Sequence, residues 1–230
     1  LYKCVLLHLL FEKVYLYFEG VYNRSEVFIN GHSLGKRPNG YISFAYDATP
    51  FVKYGEDNII AVRVDHSKSA DSRWYTGSGI YRNVWLVYSN PVHIAQWGVY
   101  TYPEVTNGTG TLNVEVALEN GSSAKTNLTV VNELLDTNGK TVAKSSQKIS
   151  VEANKENKTT VKKKKKNPQL WDIENPNLYQ LKTTVLKDGK QIDKAVTATG
   201  FRTFTFDANK GFALNGKWMK MKGVCLHHDA

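Results

Sequence analysis

Proline, cysteine and methionine are scarce in the 230 residues, with six, two and two copies. Cys4 and Cys225 stand at opposite ends of the chain, too few and too isolated for a disulfide framework. Six histidines without ligand-type spacing predict no zinc site, and no metal or cofactor is expected. Long apolar runs are missing too. The opening residues 1–11 are apolar but carry Lys3 and His8 and are too short to span a bilayer. They also lack a basic start and a small-residue cleavage site, which argues against a signal peptide, and no membrane partner is expected. The chain starts without Met, so a processed or truncated product is expected. Nowhere do twelve residues show clean helical periodicity with a cap; residues 1–11 come closest, and a strand stays open there.

What is abundant is aromatic. Thirteen Tyr, nine Phe and five Trp, within a 41% hydrophobic composition, suit half-buried pleated surfaces. Residues 14–19 alternate with period two, and residues 25–34 read as a hairpin turning on Asn30-Gly31, since both turn positions tolerate positive φ. Strands are predicted over residues 42–46, 58–64 and 84–87, after which Asn90-Pro91 breaks the chain. Beyond it come strands over residues 92–102, 110–119, 124–135, 145–151, 157–163, 179–186 and 191–201, with Asp188-Gly189 as a second hairpin turn. Seven short strands in about 110 residues is the pattern of an immunoglobulin-like sandwich. A last hairpin around Asn215-Gly216 leads into residues 222–227, which read as a buried strand in need of neighbours.

The formal net charge is +9, of which the five lysines at 162–166 supply more than half; without them it is 9 − 5 = +4. Such a run reads as a solvated loop or linker. No aromatics alternate with these lysines along the sequence, so a stacking surface for single strands is not indicated and no nucleic acid is expected.

The order of motifs resembles family 2 glycoside hydrolases of the β-galactosidase type over roughly residues 14–230. It is carried by Glu26-Val27-Phe28-Ile29-Asn30-Gly31-His32 and by Gly40-Tyr41, and most specifically by residues 73–86, RWYTGSGIYRNVWL. Asn167-Pro168, Leu170-Trp171, Pro176-Asn177-Leu178-Tyr179, Gly200-Phe201-Arg202 and Lys222-Gly223-Val224-Cys225-Leu226-His227-His228-Asp229 continue it. The first thirteen residues and the lysine run depart from the family pattern. The resemblance implies an all-β chain. A jelly-roll sugar-binding domain (1–90) precedes an immunoglobulin-like β-sandwich (91–206), and residues 207–230 begin a truncated TIM barrel.

It further implies a retaining exo-glycosidase in which one carboxylic acid protonates the glycosidic oxygen and a second carboxylate attacks the anomeric carbon. Both are expected to be glutamates beyond residue 230, so no catalytic residue is assigned and this stretch alone is expected to be inactive. His227, at the end of the first barrel strand, is expected to contact sugar hydroxyls, with His228 and Asp229 as further candidates; a hydrogen-bonded structural role is the alternative. Arg73 offers a fork of donors and Trp74 a face for a sugar ring, while Asp71 is a further candidate. Arg82 is expected to pin its turn through carbonyls or a carboxylate, and Trp85, Trp97, Trp171 and Trp218 to pack in cores. A carbohydrate substrate, a homo-oligomer of the full-length enzyme and a periplasmic or extracellular setting follow from the family, with the cytoplasm not excluded. A stand-alone carbohydrate-binding module stays open as the alternative.

Overall fold

The computed structural model describes residues 2–4, 13–68 and 76–225. Among them the chain is built of strands, with one 3-10 turn over Thr49–Phe51 and no α-helix. Two compact units part between Asn90 and Pro91, the second running to Gly223.

The first unit contains β1 (Tyr2–Cys4), β2 (Lys13–Phe18), β3 (Val21–Tyr22), β4 (Ser25–Ile29), β5 (His32–Arg37), β6 (Phe44–Asp47), β7 (Asn58–Arg63), β8 (Gly79–Ile80) and β9 (Val84–Ser89). They form sheets ordered β1-β7-β4-β5, β6-β2-β9 and β3-β8. The alternation of β2 decides its orientation: Val14, Leu16 and Phe18 are buried while Lys13, Tyr15 and Tyr17 are half-exposed. With Val27, Ile29, Phe44 and Ile60 they make one core, in which the Phe18 and Phe44 rings stack at 5.1 Å. Burial of each such side chain contributes about 1.5–3 kcal/mol.

The Asn30-Gly31 turn has φ of 49° and 85°, the pair a two-residue hairpin demands. Asn30 does more than tolerate that geometry. Its Nδ2 donates to Phe51 O and to Asn58 Oδ1, both at 2.8 Å, and its Oδ1 accepts from Ile59 N at 3.0 Å. The hairpin is thereby tied to β7 by a side chain.

The second unit contains β10 (Val92–Thr106), β11 (Thr109–Asn120), β12 (Thr126–Leu135), β13 (Thr141–Val151), β14 (Lys155–Lys166), β15 (Tyr179–Lys187) and β16 (Lys190–Thr199). They make two antiparallel sheets, β10-β11-β14 and β13-β12-β15-β16, the arrangement of an immunoglobulin-like sandwich. Leu112, Val114, Val116 and Leu118 of β11 meet Leu128, Val130, Leu134, Leu181 and Val185 in the core. Side-chain hydrogen bonds join the sheet borders. On one side Ile94 N donates to Asp193 Oδ2 at 2.7 Å; on the other Asn157 Nδ2 donates to Ser150 O at 2.7 Å. A small sheet of β17 (Phe204–Asp207), β18 (Gly211–Leu214) and β19 (Lys217–Met219) follows, turning on Asn215-Gly216.

Two expectations change. The lysine run is not a loop: it is the second half of β14, hydrogen-bonded to β11 in register, with Lys162 opposite Asn113 and Lys166 opposite Thr109. Strand pairing uses the backbone, so side-chain charge does not forbid it, and lysine suits a strand at the border of a sheet. Trp85, Trp97 and Trp218 are not core residues but 50%, 61% and 42% exposed. Trp85 instead donates from Nε1 to Glu19 Oε1 at 2.8 Å, while Trp97 sits at a bulge with φ of 54°. Of the strand expected over residues 222–227, residues 222–225 show no strand pairing and are exposed, Val224 by 93%, and residues 226 and 227 lie outside the described residues. An apolar segment gains burial only beside paired neighbours, and none pairs with it among the described residues. Within residues 1–11, where a strand was left open, residues 2–4 form one paired with β7.

Candidate functional site

All six residues singled out from the sequence fall outside the described residues: Asp71, Arg73 and Trp74 in 69–75, and His227, His228 and Asp229 in 226–230. What the structure describes in the first unit is the frame on which the first three are carried. His66 Nδ1 shares a 2.7 Å hydrogen bond with Ser78 Oγ, joining the two segments that flank 69–75. Just before it, Arg24 Nε donates to Asp65 O at 2.9 Å, and the Asp65 carboxylate accepts from Ser67 Oγ at 2.6 Å and from Ser67 N at 3.0 Å. The Ser67 hydroxyl, helped by its amide, holds the Asp65 carboxyl below the usual carboxylate range.

An aromatic ledge adjoins this frame. The Tyr22 ring meets His66 edge-on at 5.1 Å and Tyr41 edge-on at 5.3 Å, and Tyr41 and Ile42 are exposed. Two bonds fix the loop that bears them: Tyr81 Oη donates to Gly40 O at 2.9 Å, and Asn39 Oδ1 accepts from Tyr41 N at 2.8 Å. Gly40 is required for this approach, since a Cβ there would lie 2.3 Å from Tyr22 Cδ2. Burial pushes the Tyr81 hydroxyl's pKa up, so it stays a neutral donor. Among the described residues Arg82 bonds neither a carbonyl nor a carboxylate; its guanidinium lies 5.8 Å from the centroid of the Tyr81 ring, and Glu19 N donates to Asn83 O at 3.1 Å nearby.

Exposed aromatic faces beside amide, imidazole and hydroxyl groups suit a ligand that is apolar on its faces and polar at its rim, as a sugar ring is. Sequence reasoning used Gly40-Tyr41 and Ser78 only as parts of family motifs and passed over Tyr22 and His66. Their separation along the chain leaves no local signal; Asn39-Gly40-Tyr41, a turn pair followed by an aromatic, is the one hint.

The sequence matches the family model for the sugar binding domain of glycosyl hydrolases family 2 over residues 8–91, and that for glycosyl hydrolases family 2 over residues 92–202. A β-galactosidase of Bacteroides ovatus is 49% identical across 92% of the chain and 25% of its own length. A putative β-glucuronidase of Formosa agariphila is 41% identical across 95% of the chain and 20% of its own length. A crystal structure of a family 2 member from Bacteroides cellulosilyticus superposes with a TM-score of 0.89 at 35% identity, covering 95% of this chain and 30% of that one. The chain thus spans about a quarter of the length of these relatives. Two consecutive family models and relatives this similar over nearly the whole chain place it among the family 2 glycosyl hydrolases.

Proposed function

We propose that this chain forms the sugar-binding and immunoglobulin-like part of a retaining exo-β-glycosidase acting on terminal β-galactosides, and that it shapes the substrate pocket without supplying the catalytic carboxylates. The observation that carries the substrate is the 49% identity to the Bacteroides ovatus β-galactosidase. The 41% identity to a putative β-glucuronidase favours a second reading, in which the terminal sugar is a glucuronide. In either reading two carboxyl groups about 5–5.5 Å apart flank the scissile bond, one as acid and one as nucleophile. They are assigned to the part of the relatives that this chain does not match.

Within the chain, Arg73 is assigned to adjacent sugar hydroxyls through its fork of donors, and Trp74 to one face of the ring, with Asp71 beside them. His227, with His228 and Asp229, is assigned to hydroxyls at the start of the barrel that residues 207–230 enter. The described bond between His66 and Ser78 supports the first assignment by bringing together the flanks of the segment that holds Arg73 and Trp74.

The test is a chimera in which this chain replaces the matching quarter of the Bacteroides ovatus enzyme. Hydrolysis of an aryl β-galactoside is expected from the chimera and none from the 230-residue chain alone. Preference for an aryl β-glucuronide would favour the second reading. Turnover by the chain alone, or a folded chimera that cleaves neither substrate, would refute the proposal.

A further inference from the structure

The lysine run has a use that sequence alone conceals, because pairing brings it beside exposed aromatics. Across β10, β11 and β14 the register sets Tyr100 beside Glu115 and Thr160, Tyr102 beside Asn113 and Lys162, Glu104 beside Thr111 and Lys164, and Thr106 beside Thr109 and Lys166. Directly opposed residues of antiparallel strands share a face, so these four rows lie on one face. The opposite face holds Leu112, Val114 and Val116, which are buried, and is the inner one. Lys162, Lys164 and Lys166 are therefore on the outside, spaced about 7 Å apart along the strand. Lys163 and Lys165, opposite Leu112 and Gly110, are on the inner face.

On this outer face Tyr100 and Tyr102 are 60% and 43% exposed, with ring centroids 5.8 Å apart. Two strand spacings, roughly 10 Å, separate them from the lysine row. No lysine of 162–166 has an ion-pair partner among the described residues. The nearby carboxylates are engaged elsewhere: Glu115 with Lys158 at 3.2 Å, and Glu104 with Asn113 Nδ2 at 3.1 Å. Asn113 is fully buried between the tyrosine and lysine rows, and among the described residues its Oδ1 has no hydrogen-bond partner. Border protection accounts for some charge on β14, but it does not call for two adjacent exposed tyrosines on the same face.

We propose that the outer face of the β10-β11-β14 sheet binds a polyuronate, a polysaccharide of uronic acids, with its rings against Tyr100 and Tyr102 and its carboxylates on Lys162, Lys164 and Lys166. This rests on the reading of the chain as part of a carbohydrate-active enzyme, and it adds a second, non-catalytic contact for a polymer. Unpaired cations match the carboxylates, and the tyrosines match the apolar faces of the sugar rings.

The test uses the 230-residue chain with polygalacturonate, neutral β-1,4-galactan and a single-stranded oligothymidylate as probes, followed by calorimetry and affinity electrophoresis. Polygalacturonate is expected to bind, and to weaken as salt rises. Lys162→Gln with Lys164→Gln, and separately Tyr100→Ala with Tyr102→Ala, are expected to weaken it about tenfold, the loss of a few exposed contacts. Lys163→Gln with Lys165→Gln should leave it unchanged. Failure to bind polygalacturonate, equal binding of neutral galactan or of oligothymidylate, or equal loss from the inner-face lysines would overturn the proposal. Aryl-glycoside hydrolysis by the chimera is an independent readout: a chimera that hydrolyses while its outer face ignores polygalacturonate sinks this inference alone.

Discussion

Thr183 Oγ1 donates a 2.7 Å hydrogen bond to Asn132 Oδ1, both residues buried on the core-facing side of adjacent strands β15 and β12. A polar pair on the apolar inner side of the sandwich is tolerated because each partner satisfies the other. Thr183→Val keeps the shape, removes the donor and leaves a buried acceptor unpaired, which costs about 1–3 kcal/mol. Asn132→Leu with Thr183→Val is expected to recover much of that loss. A urea-unfolding double-mutant cycle reads the coupling, and additive effects would show that the bond contributes nothing.

Phe18 is fully buried and stacked on Phe44 in the first unit. Truncation to Ala removes its transfer free energy and leaves a void, so Phe18→Ala should destabilise by about 3–5 kcal/mol. Tyr17→Ala, one residue away on the opposite side of the same strand, should cost much less, and comparison of their urea midpoints checks it.

At the bulge of β10, a Cβ on Gly98 would sit 2.6 Å from Ala95 O and 2.7 Å from Ala117 O. Both obstacles are backbone and cannot swing aside. Gly98→Ala should therefore shift the strand or lower the melting temperature, whereas Gly189→Ala, with open space around it but φ of 76°, should suffer only from its backbone angle. Calorimetry on the two variants separates crowding from strain.

Asp47 links sheet border and turn, accepting from Lys13 Nζ and from Thr49 N, each at 2.9 Å. Burial pushes its carboxyl pKa upward, but the Thr49 and Lys13 hydrogen bonds outweigh that and hold it below the ordinary value. A carboxyl with a lowered folded pKa stabilises above its unfolded pKa of about 3.9, and this is lost as pH falls through the folded value. The gap in melting temperature between the natural chain and Asp47→Asn should be widest near about pH 7 and should close below about pH 4. A gap independent of pH would refute the role of the charge.

Turns were legible in the sequence because their requirement is local. Asn30-Gly31, Asp188-Gly189 and Asn215-Gly216 all adopt the positive φ values that their residue types permit. The alternation of β2 likewise announced its buried side. Alternation tells which residues share a face, however, and not whether that face is covered, and so Trp85 and Trp218 were taken for core. The identity of side chains also hides pairing, which is why five consecutive lysines looked like a loop. The ledge of Tyr22, Tyr41 and His66 was hidden for a third reason: its members come from three distant segments that only the fold gathers.

The seams of the second unit bear on how the protein behaves in company. Both borders of the four-stranded sheet, β13 and β16, face strands of the other sheet and are stitched to them by side chains, as Ser150 O is to Asn157 and Asp193 is to Ile94. A foreign strand seeking to extend that sheet at either border would meet the molecule's own neighbouring strand and would have to break these bonds to pair, a hindrance to fibril growth that needs no added charge.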